Sequence, residues 1–275
     1  MIKGERRSLE GKKLDNVAYN TPNLLLRFLR YEPGNRKINI ICPGIHMKVS
    51  RVDNMIIRCD KVRRLFELED YDLPYGDIME MYLSFRAKKL DDVSKEIAKL
   101  INNDEVFEKY TSIVLIGVGE GGLYIVNATK FLQRPVRIAT IATPFKGTLI
   151  ADAKFVRHKV KNPVIRLFGC RQIRQKFDLP NAVVKGTSFI TESHFLHLNR
   201  HQWINFVATS SRYEEKNLSD RLENDFIRKV FDNCRNDGLI PIKSQECKSK
   251  ELDNQFFIRV SHENALLKAL EYFRS

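Results

Sequence analysis

No stretch of this chain stays apolar for anything near the ~20 residues of a membrane-crossing helix. The opening MIKGERRSLEGKK holds no apolar segment of the kind that marks a secretory signal. Neither a span nor export by that route is expected, and the reading from sequence is a cytoplasmic protein. Cysteine is sparse: Cys42, Cys59, Cys170, Cys234 and Cys247 are scattered, odd in number and never at C-x-x-C spacing. That excludes a disulfide framework and points to buried thiols in a reducing compartment. Zinc-finger spacing, an aromatic–basic ribonucleoprotein signature and internal repeats are all missing, so nucleic acid is not an expected partner. Acidic charge is in deficit. The net charge is +13, and 154–176 holds eight Lys or Arg and no acid. That segment reads either as a solvated face or as a surface for an anionic membrane.

What is present is a 275-residue chain, 43% hydrophobic, long enough for one sizeable core. Short apolar, β-branched runs predict strands over 37–42, 112–116, 136–142, 203–209 and 255–260. Apolar residues at helical spacing predict helices over 52–68, 90–110, 121–132, 218–231 and 263–273. In the second of these Leu90, Val93, Ile97, Leu100 and Ile101 share one face. Residues 1–20 read as a loose arm or an edge hairpin. Strands alternating with helices predict an α/β fold with a mostly parallel sheet covered on both faces. The irregular 148–200 stretch reads as an insertion over the C-terminal strand edge, where open α/β sheets bind their ligands.

The densest signal lies in 112–127, SIVLIGVGEGGLYIVN, a strand, a glycine turn and a helix in sixteen residues. The turn fits two templates. Gly117-Val118-Gly119-Glu120-Gly121-Gly122 satisfies the dinucleotide fingerprint G-x-G-x-x-G, and 117–121 fits the nucleophile elbow G-x-S-x-G with Gly119 in place of the serine. The dinucleotide template wants an acid at the end of the next strand, where this chain has Ala142-Thr143-Pro144. A P-loop would need Gly-Lys-Ser/Thr, and Leu123 follows Gly122. The elbow template is served better. It wants nucleophile, acid and histidine in chain order, and Asp237 (NDGLIP) and His262 (VSHE) follow Gly119 in that order, each at an expected strand end.

Five segments together resemble the lipase and esterase branch of the α/β-hydrolases. Residues 38–45 resemble the strand and oxyanion loop, with Pro43-Gly44 where those enzymes often carry His-Gly. Residues 115–122 resemble the elbow. IATPFKGT at 141–148 resembles T-P-x-x-G-T, NDGLIPIKS at 236–244 resembles the acid loop D-G-x-V-P-x-x-S, and Ser261-His262-Glu263 resembles the histidine loop. The resemblance covers roughly 37–275. It implies an α/β-hydrolase domain over 1–275 with a cap at 148–200. It further implies a catalytic set of Gly119 (nucleophile position), Asp237 and His262, and oxyanion donors in the Ile45 and Glu120 N–H groups. The substrate would be an acyl ester or a lipid, with no cofactor and no metal.

Gly119 is the departure from that pattern, because glycine has nothing to attack a carbonyl with. Three readings follow: a pseudoenzyme that keeps its pocket, a hydrolase whose serine is replaced in this chain, or a site where His262 activates water or a substrate group. A fourth, of another class, is a binding or scaffold protein that uses the pocket or the basic cap. Cys42 and Glu120 are weaker alternatives as nucleophile. Cys42 is expected to face the sheet core, and the Glu120 side chain to point away from the other two residues. His194, His197 and His201 have the spacing of metal ligands on one helix face, without a carboxylate or cysteine to complete a zinc set. His46 flanks the expected oxyanion loop.

Overall fold

A computed structural model describes residues 17–21, 24–43, 49–52, 55–58, 76–83, 90–148, 156, 158–163, 165–166, 201–210, 218–232, 234–247, 252 and 254–273. Its centre is an eight-stranded sheet built from β1 (Val17–Asn20), β2 (Leu24–Arg30), β3 (Lys37–Cys42), β6 (Asp77–Leu83), β7 (Ser112–Val118), β8 (Arg137–Ile141), β9 (Gln202–Ala208) and β10 (Asn254–Ile258). A separate antiparallel hairpin joins β4 (Val49–Val52) to β5 (Met55–Arg58). The order across the large sheet is β1-β2-β6-β3-β7-β8-β9-β10. From β6 to β10 every pairing is parallel, and β2 runs antiparallel to both β1 and β6.

The helices are α1 (Leu90–Asn103), α2 (Glu105–Glu108), α3 (Glu120–Ala128), α4 (Leu218–Phe231), α5 (Ile242–Gln245) and α6 (Ala265–Tyr272). The predicted face of α1 is buried, and it packs with α3 on one side of the sheet against Ile38, Ile40, Leu115 and Ile138. On the other side Ala265, Leu266, Ala269 and Leu270 of α6 cover Ile41, Ile116, Ile141 and Phe206. Burial on both faces explains why β3, β7 and β8 read as largely apolar runs.

Several boundaries differ from expectation. Val52 and Met55–Arg58, expected as the start of a helix, belong to β4 and β5; Val52 pairs with Met55, and Ile56-Ile57 is β-branched. Residues 59–68 lie outside the described residues. The helix expected over 90–110 divides at Asp104, which leaves helical geometry (φ −87°, ψ 130°) and caps α2 by accepting a hydrogen bond from Val106 N–H. β2 and β6 were not expected. Their sequences, LLLRFLR and DIMEMYL, are dominated by helix-forming Leu, Met, Arg and Glu, and the strand state is set by packing.

The strand order places the site. After β3 the chain moves to β6 on one side, and after β7 it moves to β8 on the other. Connections that leave two neighbouring strands in opposite directions open a crevice at their C-terminal ends, the usual binding position in such sheets. Here that crevice lies between Cys42 and Val118, which carries Gly119.

Candidate active site

Gly119 leads β7 into α3 with φ 54° and ψ −126°. An L side chain adopts that conformation only under strain, while glycine takes it freely. The flanking glycines answer a different need. A Cβ on Gly117 would stand 2.4 Å from Gly122 Cα, and one on Gly121 would stand 2.1 Å from Cys42 O. The strand end, the helix start and the end of β3 are therefore in backbone-to-backbone contact, which is why G-x-x-x-G frames the turn. Gly119 N–H donates to Ile141 O (2.8 Å), fixing the turn to β8.

Glu120 opens α3 and is buried. Its carboxylate accepts a hydrogen bond from the Tyr124 hydroxyl (3.0 Å) one turn along the helix. Cys42 is fully buried. Burial pushes its thiol far above the usual cysteine range, and the nearby Glu120 and Glu80 carboxylates push it further. It is held as a thiol and is a poor nucleophile. Ile45 and His46 lie outside the described residues.

Asp237 and His262 meet. His262 Nδ1 is 2.7 Å from Asp237 Oδ2, and both side chains are buried. A carboxylate only accepts, so Nδ1 carries the proton and Nε2 is left as the basic nitrogen. The second carboxylate oxygen, Oδ1, accepts from Leu239 N–H (2.9 Å) and Ile240 N–H (2.7 Å). Asn236 Oδ1 takes Gly238 N–H (2.8 Å), and Gly238 sits at φ 98°. NDG is thus a turn whose side chains satisfy its own main chain. His262 N–H also donates to Asp237 O (2.9 Å), so the two residues are tied through backbone as well as side chain.

The acid turn is clasped by the loop after β8, the TPFKGT segment. Thr148 Oγ1 donates to Leu239 O (2.6 Å), Ser244 Oγ donates to Gly147 O (2.6 Å), and Lys146 N–H donates to Ser244 Oγ (3.1 Å). Sequence reasoning passed over Thr148 and Ser244 as site residues. They were visible as the closing positions of the two motifs that this contact joins. Of the expected insertion, Val156, Val160 and Ile165 pack with Phe226, Ile227 and Val230 of α4 and with Leu239 and Ile240 of the acid turn.

His201 Nδ1 accepts Val136 N–H (3.1 Å) in a buried position at the start of β9; His194 and His197 lie outside the described residues. Among the described residues no group of His, Cys, Asp and Glu is placed to hold a metal, and no helix is long and apolar enough to cross a membrane.

No family model matches the chain, and no curated protein is similar to it in sequence. Solved structures do resemble it. The mature form of the Bacillus licheniformis lipase BlEst2 aligns over 92% of this chain and 96% of its own, with a TM-score of 0.56 and 13% identity. The propeptide form of the same lipase aligns over 90% of this chain and 51% of its own, with a TM-score of 0.54 and 13% identity. A lipase-esterase related protein from Clostridium acetobutylicum aligns over 91% and 97%, with a TM-score of 0.48 and 14% identity. The chain has the α/β-hydrolase fold, with lipases and esterases as structural neighbours.

Proposed function

We propose that this chain is a lipase- or esterase-like hydrolase that keeps the acid and the base of an ester-cleaving site and lacks its nucleophile. The observation that carries the reading is the buried 2.7 Å contact between Asp237 and His262. Support also comes from the topology: Gly119 follows β7 and His262 follows β10, two strands that run the same way in one sheet. In this reading Asp237 orients the imidazole, His262 Nε2 is the general base, and Gly119 occupies the place of the serine. The N–H groups of Glu120 and Ile45 line the oxyanion position. With no Oγ to form an acyl-enzyme, the chain binds an acyl ester or lipid without turning it over. One domain over 1–275 with a cap at 148–200 suits this role, because a cap resting on the acid turn would cover the ligand.

The test is to put the nucleophile back. Gly119→Ser is expected to hydrolyse an activated short-chain acyl ester at least about 100-fold faster than the chain as it stands. The ceiling is near the ~10⁶-fold that loss of such a nucleophile costs in a serine protease. Adding His262→Ala should remove the gain. Turnover by the glycine form that is insensitive to His262→Ala would reject the mechanism. The net charge of +13 favours one second reading, non-catalytic binding of an anionic lipid surface through 154–176.

A further inference from the structure

The side chain of Gln245 bonds both the acid turn and the end of β9. Just past the end of β8, Ala142 N–H donates to Phe206 O on β9 (2.8 Å). The next residue of β9 that faces the same way is Ala208, and there the amide of Gln245 takes over the ladder. Gln245 Oε1 accepts Ala208 N–H (2.8 Å), and Nε2 donates to Ala208 O (3.2 Å). A side-chain amide thus stands in for a strand residue where β8 has turned away, satisfying a buried N–H and C=O that would otherwise cost stability.

The same Nε2 makes one contact that this capping role does not need. It donates to Ile240 O (3.2 Å), and Ile240 N–H is bonded to Asp237 Oδ1 (2.7 Å). Ala208, in turn, pairs with Ile258 on β10, four residues before His262. Gln245 is fully buried and held from behind. Its own carbonyl accepts from Asn205 Nδ2 (2.9 Å), which also reaches Gln255 Oε1 on β10 (2.9 Å).

We propose that Gln245 is a positioning residue for the acid–base pair. By fixing Ile240 to the end of β9, it sets the separation at which the Asp237 carboxylate meets the His262 ring. The proposal rests on reading that pair as acid and base, and a shift of about an ångström at such a pair is enough to disable it.

The experiment uses the chain as it stands and needs no ester turnover. Gln245→Met keeps the length and removes all three bonds. Gln245→Glu keeps an acceptor for Ala208 N–H and removes both Nε2 donations. Ser94→Ala, which removes a buried bond to Tyr124 O on the far side of α3 (3.0 Å), is the control for destabilisation alone. Proton NMR follows the Nδ1 proton of His262, assigned by its loss in His262→Ala.

Both Gln245 variants are expected to weaken or abolish the Nδ1 resonance. Ser94→Ala should lower the melting temperature and leave the resonance in place. Gln245→Glu is read the same way if Gln245→Met does not fold. Gln245 variants that melt earlier yet leave the resonance unmoved would overturn the proposal and leave Gln245 as a strand cap. A silent Gly119→Ser would count against the proposed function and leave this measurement readable.

Discussion

Replacing Gly119 by alanine should destabilise the protein, and the size of the loss follows from the backbone. Two effects oppose each other. Alanine restricts the unfolded chain, which on its own stabilises by about 0.4–1 kcal/mol. At φ 54° and ψ −126° a Cβ is strained, and residues held in such regions cost about 1–3 kcal/mol. The strain is the larger, so the net is a loss of about 1–2 kcal/mol. For a domain of this size each kcal/mol lowers Tm by about 2–4 °C, so Gly119→Ala should melt about 2–8 °C below the parent in a calorimetric scan. Gly119→Ser should show a similar loss, since its strain is the same, even while it gains activity. The control is Gly34→Ala. Gly34 also has positive φ (92°), but it lies in the β2–β3 turn, remote from the site. It should lose stability without any change in ester turnover. A Gly119→Ala variant as stable as the parent, or more so, would refute the reasoning, because the turn would then not be held in the strained geometry.

Other outcomes can be stated more briefly. In the Gly119→Ser background, Asp237→Asn should cut kcat by up to about 10⁴-fold, bounded by the gain the serine brings, because the amide favours the wrong imidazole tautomer; a loss under tenfold would count against the orienting role. Asp77 is buried at the start of β6. Burial alone would raise its carboxyl, but hydrogen bonds from Tyr110, Asn35 and the Glu32 N–H, with the Lys109 ammonium, hold it below the usual aspartate range. Its contribution is present above the unfolded-state value of about 3.9 and is lost as pH falls through the lower folded value. Melting curves of the parent and Asp77→Asn should therefore converge on acidification below about pH 4. Phe226→Ala, in the cluster that seats Val160 on α4, should cost about 3–5 kcal/mol and speed hydrogen exchange in 156–166. If 154–176 docks on anionic vesicles, binding should weaken as salt rises, and salt-independent affinity would leave the solvated-face reading.

The legible parts of the fold were those where local preference and burial agree. KINIIC, SIVLIGV and WINFVA are β-branched or aromatic and buried on both faces, and 218–231 carries its helical stripe with the observed ends. β2 and β6 were illegible because Leu and Met suit either state, and only their neighbours across the sheet decide it. Asp237 was readable from its turn chemistry, although it follows α4 rather than a strand end, and His262 from its place after the last strand; the two meet at 2.7 Å. Gln245 was not readable: its partner Ala208 is 37 residues away, and its role appears only where β8 departs from the sheet. The conformation of Gly119 could be anticipated only in outline. Glycine tolerates the strained turn without recording that the turn is there.

The position of β6 has a consequence for how the chain is made. β2 and β3 follow one another in sequence, yet β6 lies between them in the sheet. A nascent chain that has reached β3 therefore holds two strands with a slot between them that only residues 77–83 can fill. Until those residues arrive, β2 and β3 face each other across unmade hydrogen bonds, and each edge can recruit a strand from another chain. Premature termination ahead of Asp77 should thus give a sticky fragment, whereas termination after Leu83 leaves β3 with one partner in place. Synthesis rate across 43–76 becomes a determinant of yield, independent of how stable the finished protein is.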